Sequence, residues 1–355
     1  MNAPEKPSEP RLTSLSHGGG CGCKIAPGVL SEILQGMSKA VLPPELLVGI
    51  ETADDAAVYQ LNDEQALIAT TDFFMPIVDD PYDFGRIAAT NAISDVYAMG
   101  GKPIMALALV GMPFGVLSAA TIGKVLEGGN AICRAAGIPI AGGHTIDSVE
   151  AIYGLVALGL VHPKRDKRNA DAKVGDRLVL GKPLGVGVMS AALKKERLSA
   201  DGYAQMIANA TKLNTPGPDL AALPGVHALT DVTGFGLAGH VLEIARGAKA
   251  AVSIYWARVP LLPGVRDLAA QGFVTGASGR NWASYGSEVA LPAGFAAQDK
   301  ALLTDPQTSG GLLVTCHASA VSEVREIFER HGFGAVADIG EVVEAAPGGA
   351  RLSVY

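Results

Sequence analysis

Aromatic residues make up only 5% of this 355-residue chain, and tryptophan occurs twice. Charged residues are also sparse, at 18%, and no basic stripe interleaved with aromatics occurs, so nothing favours nucleic-acid binding. Cysteine occurs four times, too few for a disulfide framework at this length, so a reducing cytoplasm is the expected setting. The longest apolar stretch, Ile104 to Ala120, is broken by Gly111, Pro113 and Gly115; it reads as a buried strand and turn, and no membrane association is expected. Residues 1–16 are polar and lack the apolar segment of a secretory signal. There is no Walker A pattern, since Gly123-Lys124 and Gly181-Lys182 are followed by Val and Pro.

What is abundant is glycine, with 44 residues, in a chain that is 48% hydrophobic and carries a net charge of −7. That length and apolar content suffice for two domains with their own cores. The glycines concentrate most tellingly at His17-Gly18-Gly19-Gly20-Cys21-Gly22-Cys23-Lys24. Glycine reaches backbone conformations closed to other residues, so this stretch reads as a mobile strap carrying two thiols and an amine. Lys24 is near enough in sequence to favour the thiolate, the reactive form of cysteine. A structural zinc site is the alternative, but it lacks a second ligand pair, because Cys133 and Cys316 are single and sit in apolar patterns. Cys133 lies on the 3.6-period face of a helix over Thr121–Ala136, and Cys316 ends an apolar strand over Gly311–Cys316; both read as core.

The densest charge run, His162 to Asp171, separates two stretches of apolar periodicity and marks a domain boundary. The expected division is a flexible strap over 1–26, a first domain over 27–165 and a second over 172–355. In the first, a helix is expected from Pro27 to Lys39, strands over Ala66–Asp72, Ile104–Val110 and Ala151–Val161, and a helix over Arg86–Met99. In the second, strands are expected over Arg177–Gly181 and Val252–Trp256, and helices over Leu237–Ala248 and Ala320–His331. Strands and helices alternate imperfectly, which points to layered α/β and α+β domains.

Several acids sit at turns or in apolar surroundings: Asp54-Asp55, Asp72 at a strand end, Asp95 inside an apolar helix, and Asp231 before Val232-Thr233-Gly234-Phe235-Gly236. Two like charges about 4 Å apart repel by roughly 4 kcal/mol at an effective dielectric of 20. If these acids converge, they do so around cations, and hard oxygen ligands suit Mg²⁺. For any single acid, a role as cap or turn residue is the simpler reading. Gly142-Gly143-His144-Thr145 and Ser309-Gly310-Gly311 read as turns whose exposed amides could cradle phosphate. Gly234-Phe235-Gly236-Leu237-Ala238-Gly239 has the spacing of a dinucleotide fingerprint, but the following strand ends without the acid that meets a ribose. Those glycines read instead as a turn that lets a ligand approach closely.

Together with Met99-Gly100-Gly101-Lys102-Pro103, Asn91-Ala92-Ile93-Ser94-Asp95 and Asp305-Pro306-Gln307-Thr308-Ser309-Gly310-Gly311, these segments resemble the selenophosphate synthetase family, also called selenide, water dikinase. The resemblance runs through nearly the whole chain. It implies a two-domain fold shared with aminoimidazole ribonucleotide synthetase, with a mobile Gly-rich N-terminal segment and ATP in a cleft. It implies a homodimer built on the first domain, and conversion of ATP, selenide and water to selenophosphate, AMP and phosphate. Selenophosphate would feed selenocysteine and selenouridine synthesis, with a selenium-delivery protein as a further partner. By position, Cys21 and Lys24 match the catalytic pair; Asp55, Asp95 and Asp231 match Mg²⁺ ligands; and Lys24, Thr52, Ala53, Asp54, Asp72, Asp95, Gly143, His144 and Thr145 match ATP contacts. Ala53 departs from the arginine of a relative, so only a backbone contact would survive there. The nearest rivals are another ATP-using enzyme of the same superfamily and a non-catalytic chalcogen or metal carrier.

Overall fold

The computed structural model describes residues 9–25, 29, 32–33, 42–49 and 55–355. The helix expected over Pro27–Lys39 lies for the most part outside them, as do the candidate ATP contacts Thr52, Ala53 and Asp54.

Six strands form the first sheet: β1 (Leu46–Val48), β2 (Ala57–Gln60), β3 (Ala66–Phe74), β4 (Lys102–Met112), β5 (Ile140–Asp147) and β6 (Ile152–Val161). Their order is β1-β2-β3-β6-β4-β5, antiparallel except where β4 runs parallel to β5. Helices α1 (Pro81–Ala98) and α2 (Ala119–Ala135) pack on one face. The Asp80 carboxylate caps α1 by accepting from the Asp83 amide at 2.8 Å, with proline at the first helical position, where its missing N–H is harmless. Ser118 caps α2 in the same way through the Thr121 amide. The α1 interior is buried almost all round, including Asn91, Ser94 and Asp95. An apolar helix buried on all sides has no solvated face for polar residues, so these three face partners.

The second sheet has seven strands: β7 (Arg177–Leu180), β8 (Val226–Asp231), β9 (Ala251–Ile254), β10 (Val289–Ala290), β11 (Leu312–Cys316), β12 (Ala337–Val343) and β13 (Leu352–Val354). Its order is β10-β13-β9-β12-β7-β11-β8. The helices used below are α3 (Val186–Lys194), α4 (Gly236–Gly247), α5 (Gly276–Tyr285) and α6 (Val321–Arg330). The inward set expected for α4, namely Val241, Ile244 and Ala245, is fully buried, and so are Cys133 and Cys316.

One segment differs in kind from the sequence reading. Gly142 to Thr145 is not a turn but the middle of edge strand β5, paired with β4. A Cβ at Gly143 would stand 2.1 Å from the Ala108 carbonyl oxygen, so the glycine is there for strand contact. No helix among the described residues is long and apolar enough to cross a membrane.

Candidate active site

The Gly-rich segment lies across both domains. On the first, Thr13 donates from its amide and hydroxyl to Asp79 at 3.0 and 2.6 Å, and the Gly20 amide donates to the Met75 carbonyl at 2.8 Å. On the second, Lys194 donates to the Ser16 carbonyl at 3.2 Å, Arg280 to the Gly22 carbonyl at 2.8 Å, and the Cys21 amide to Thr308 Oγ1 at 3.2 Å. Residues Gly20–Cys23 form a 3₁₀ turn. Cys21 is 1% exposed, so the thiol expected on a free arm is seated in the core. The glycines explain how. Gly20 has φ +54°, and a Cβ on it would stand 2.2 Å from Thr308 Oγ1. A Cβ at Gly234 would stand 2.7 Å from the Cys21 carbonyl oxygen, so the turn after Asp231 admits the strap itself.

The expected lowering of the thiol pKa by Lys24 is reversed. Burial pushes the Cys21 thiol well above its ordinary value and Asp72 adds to the rise; Lys24 pulls the other way and is outweighed. The neutral thiol donates to Asn91 Oδ1 at 3.1 Å. Cys23, also raised by burial, donates to the Gly20 carbonyl at 2.9 Å.

Asn91 is the hub. Its Oδ1 accepts from Cys21 and from the Ser309 amide at 2.7 Å, and its Nδ2 donates to Asp72. Asp72, on β3, also accepts from Lys24 Nζ at 3.2 Å. Burial works against the Lys24 charge, but Asp72, then Cys21 and Asp95, outweigh it and hold the ammonium above its ordinary pKa. One turn along α1, Ser94 donates to Asp231 at the end of β8, and Thr70 donates to Asp95 at 2.5 Å. Thr230 donates to Asp55 at 3.0 Å, joining the two domains.

Asp55, Asp95 and Asp231 lie near enough to act on one another's charge. Burial first, then Asp231 and Asp95, raises the carboxyl pKa of Asp55; burial, then Asp231 and Asp72, raises that of Asp95. Burial raises Asp231 too, against the hydrogen bond from Ser94. Asp231 Oδ1 is buried with no hydrogen-bond partner. These are oxygens short of positive charge. As placed, no three His, Cys, Asp or Glu among the described residues are gathered closely enough to enclose an ion. Mg²⁺ commonly takes one or two carboxylates and completes its shell with waters and substrate phosphates. The donor set fits that chemistry better than an all-protein cage.

Of the two glycine-rich candidates, one stands apart from the cluster and the other is built into it. Asp72, Leu155, Ala108 and Gly143 share one register row across β3, β6, β4 and β5. Three steps of about 4.8 Å separate Gly143 from Asp72 by roughly 14 Å. Gly143, His144 and Thr145 thus line the sheet edge, exposed, and do not meet Cys21 or Lys24. Ser309 is fully buried, and its amide is spent on Asn91 rather than left for a phosphate.

Sequence reasoning missed Asn91, Ser94, Thr70, Thr230 and Thr308. A signal existed for two of them: Asn91, Ser94 and Asp95 fall at i, i+3 and i+4 of an otherwise apolar helix, hence on one face. Thr70 meets Asp95 where β3 packs on α1, and Thr230 and Thr308 meet Asp55 and Cys21 only through contacts between distant segments.

Comparison with known proteins fits this geometry. Residues 53–161 match the family described as AIR synthase related protein, N-terminal domain, and residues 173–352 match its C-terminal domain. The fold is thus that of the AIR synthase-related class. Selenide, water dikinase of Burkholderia pseudomallei (strain K96243) is 69% identical over 345 residues, covering 97% of each chain. The protein of the same name from Rhizobium meliloti (strain 1021) is 56% identical over 97% of this chain and 98% of its own. The chain belongs to the selenide, water dikinase family. Among solved structures, thiamine-monophosphate kinase from Stenotrophomonas maltophilia K279a superposes with a TM-score of 0.65 at 21% identity, covering 88% of this chain and 91% of its own. The corresponding kinase from Aquifex aeolicus gives 0.62 at 18%, covering 92% and 96%. Both show the shared fold.

Proposed function

We propose that this chain makes selenophosphate from ATP, selenide and water, releasing AMP and phosphate, for selenocysteine and selenouridine synthesis. The observation that carries the reading is the contact chain Cys21–Asn91–Asp72–Lys24, buried from Cys21 to Asp72 and reaching the surface at Lys24, set beside Asp95 and Asp231 in a member of this family. Phosphoryl transfer is chiefly positioning and charge neutralisation. Lys24 supplies a fixed positive charge where the phosphates would lie, and Asp72 aims it. Asn91 holds the Cys21 thiol proton and fixes the sulfur. The seated strap keeps bulk water from the phosphates, limiting hydrolysis before selenide arrives. Asp55, Asp95 and Asp231 would hold Mg²⁺, which neutralises phosphate charge when bound. Thr52, Ala53 and Asp54 complete the proposed ATP contacts.

The proposed division is a strap over 1–26 and domains over 27–165 and 172–355, working in the cytoplasm with a selenium-delivery protein. The proposed assembly is a homodimer through the first domain. Tyr59, Phe73 and Ile146 are exposed on the sheet face opposite α1 and α2, an apolar surface for a second copy to cover.

Phosphorus NMR of an anaerobic reaction with ATP, Mg²⁺ and selenide tests the reading. Selenophosphate with AMP supports it. ADP as the only final nucleotide indicates another superfamily kinase, and retained selenium without ATP turnover indicates a carrier.

A further inference from the structure

A cavity of about 620 Å³ lies on the outer side of the strap, between it and helices α3 and α5. His17, Cys23 and Lys24 form one wall, and Lys194, Lys195 and Arg280 the other. No carboxylate lines it among the described residues. In a chain of net charge −7, this is a local inversion of sign. Lys24 is paired with Asp72 and His17 with Glu150, but the cations of the far wall have no carboxylate partner among the described residues. Lys194 and Arg280 bond to strap carbonyls, and the Lys195 side chain has no hydrogen bond or ion pair with a described residue.

The cavity leads inward. A second void of about 10 Å³, on the scale of one water molecule, is lined by Cys21 and Gly234 together with Gly22, Lys24, Ala277 and Arg280. Those last four residues line the outer cavity as well. The large cavity and the Cys21 pocket thus share Gly22, Ala277 and the two cationic side chains Lys24 and Arg280.

Resting on the function proposed above, we infer that this cavity is an anion antechamber: it gathers hydrogen selenide, an anion at neutral pH, and passes it between Lys24 and Arg280 to Cys21. Clefts of one sign concentrate oppositely charged substrates and lose that effect in salt. The same chemistry would suit orthophosphate leaving the site, and kinetics distinguish the two.

Lys195→Glu is the test, because this side chain holds no structural contact. At low ionic strength the KM for selenide should rise about tenfold and that for ATP at most about twofold, with the gap closing as salt is added. Lys195→Arg should restore the wild-type values. An unchanged selenide KM, or an equal rise for ATP, overturns the assignment. A changed inhibition constant for orthophosphate with no change for selenide also overturns it, in favour of a product exit. Absence of selenide-dependent AMP from the wild-type chain would instead strike the proposed function.

Discussion

The Cys21 thiol donates to Asn91 Oδ1 at 3.1 Å, and the same oxygen receives the Ser309 amide at 2.7 Å. One amide side chain on α1 therefore fixes both the strap sulfur and a loop of the second domain. Asn91→Ala leaves both donors unpaired and frees Asp72 from its Nδ2 partner. Each buried polar group left unsatisfied costs about 1–3 kcal/mol. The expected outcome is a lowered denaturation midpoint together with a fall of about tenfold or more in selenophosphate formation. Wild-type midpoint and rate in this variant would dismiss the hub.

Cys21→Ser should abolish selenophosphate formation while nucleotide binding stays measurable by calorimetry. The hydroxyl can still donate to Asn91, so the fold is preserved and only the sulfur is lost. Undiminished synthesis would remove the thiol from the mechanism.

Alkylation should reach the two strap thiols in a fixed order. Burial raises both, but Cys21 is nearly inaccessible whereas Cys23 is half-buried. With iodoacetamide at about pH 7.5, where few unperturbed thiols are ionised, peptide mass spectrometry should show Cys23 modified first. Faster labelling of Cys21 would contradict the seated strap.

Asp95→Ala should lose Mg²⁺-dependent nucleotide binding. The buried carboxylate is held by Thr70 and repelled by Asp231, an arrangement a divalent ion would relieve. Normal Mg-ATP affinity would refute the ligand role.

Asp305 gives a pH signature in stability. It is fully buried, accepts from the Val188 amide at 3.2 Å and Gln307 Nε2 at 2.9 Å, and burial pushes its pKa up to about 7 from 3.8. Across that interval the folded chain keeps a proton that the unfolded chain has lost. Stability from this group is thus complete below about pH 4 and lost as pH rises toward 7, on the order of a few kcal/mol in total. Asp305→Asn should flatten the decline in denaturant midpoint over that range. A profile identical to wild type would show that the carboxyl is ionised in the folded state.

Much of this was legible from residue patterns. The helices around Ile132 and Val241 follow the 3.6 period, the helix around Ile93 is closed by Gly100-Gly101, and the strands around Ile68 and Val314 are short apolar runs bounded by turns. Asp95 stood out as a charge in an apolar helix, and it is buried in the acid cluster. What stayed hidden depends on distant segments meeting. The rise in the Cys21 pKa comes from burial between two domains, which overrides the sequence proximity of Lys24. Gly142–Thr145 resembles a turn by composition, yet β4 supplies the pairing that makes it a strand. Thr230 and Thr308 look unremarkable until the domains bring them to Asp55 and Cys21.

The strap is fastened to Met75 and Asp79 on one domain and to Thr308, Lys194 and Arg280 on the other. It thereby splints the two. Lifting it would undo contacts on both at once, so uncovering the sulfur and releasing the splint between the domains become a single event.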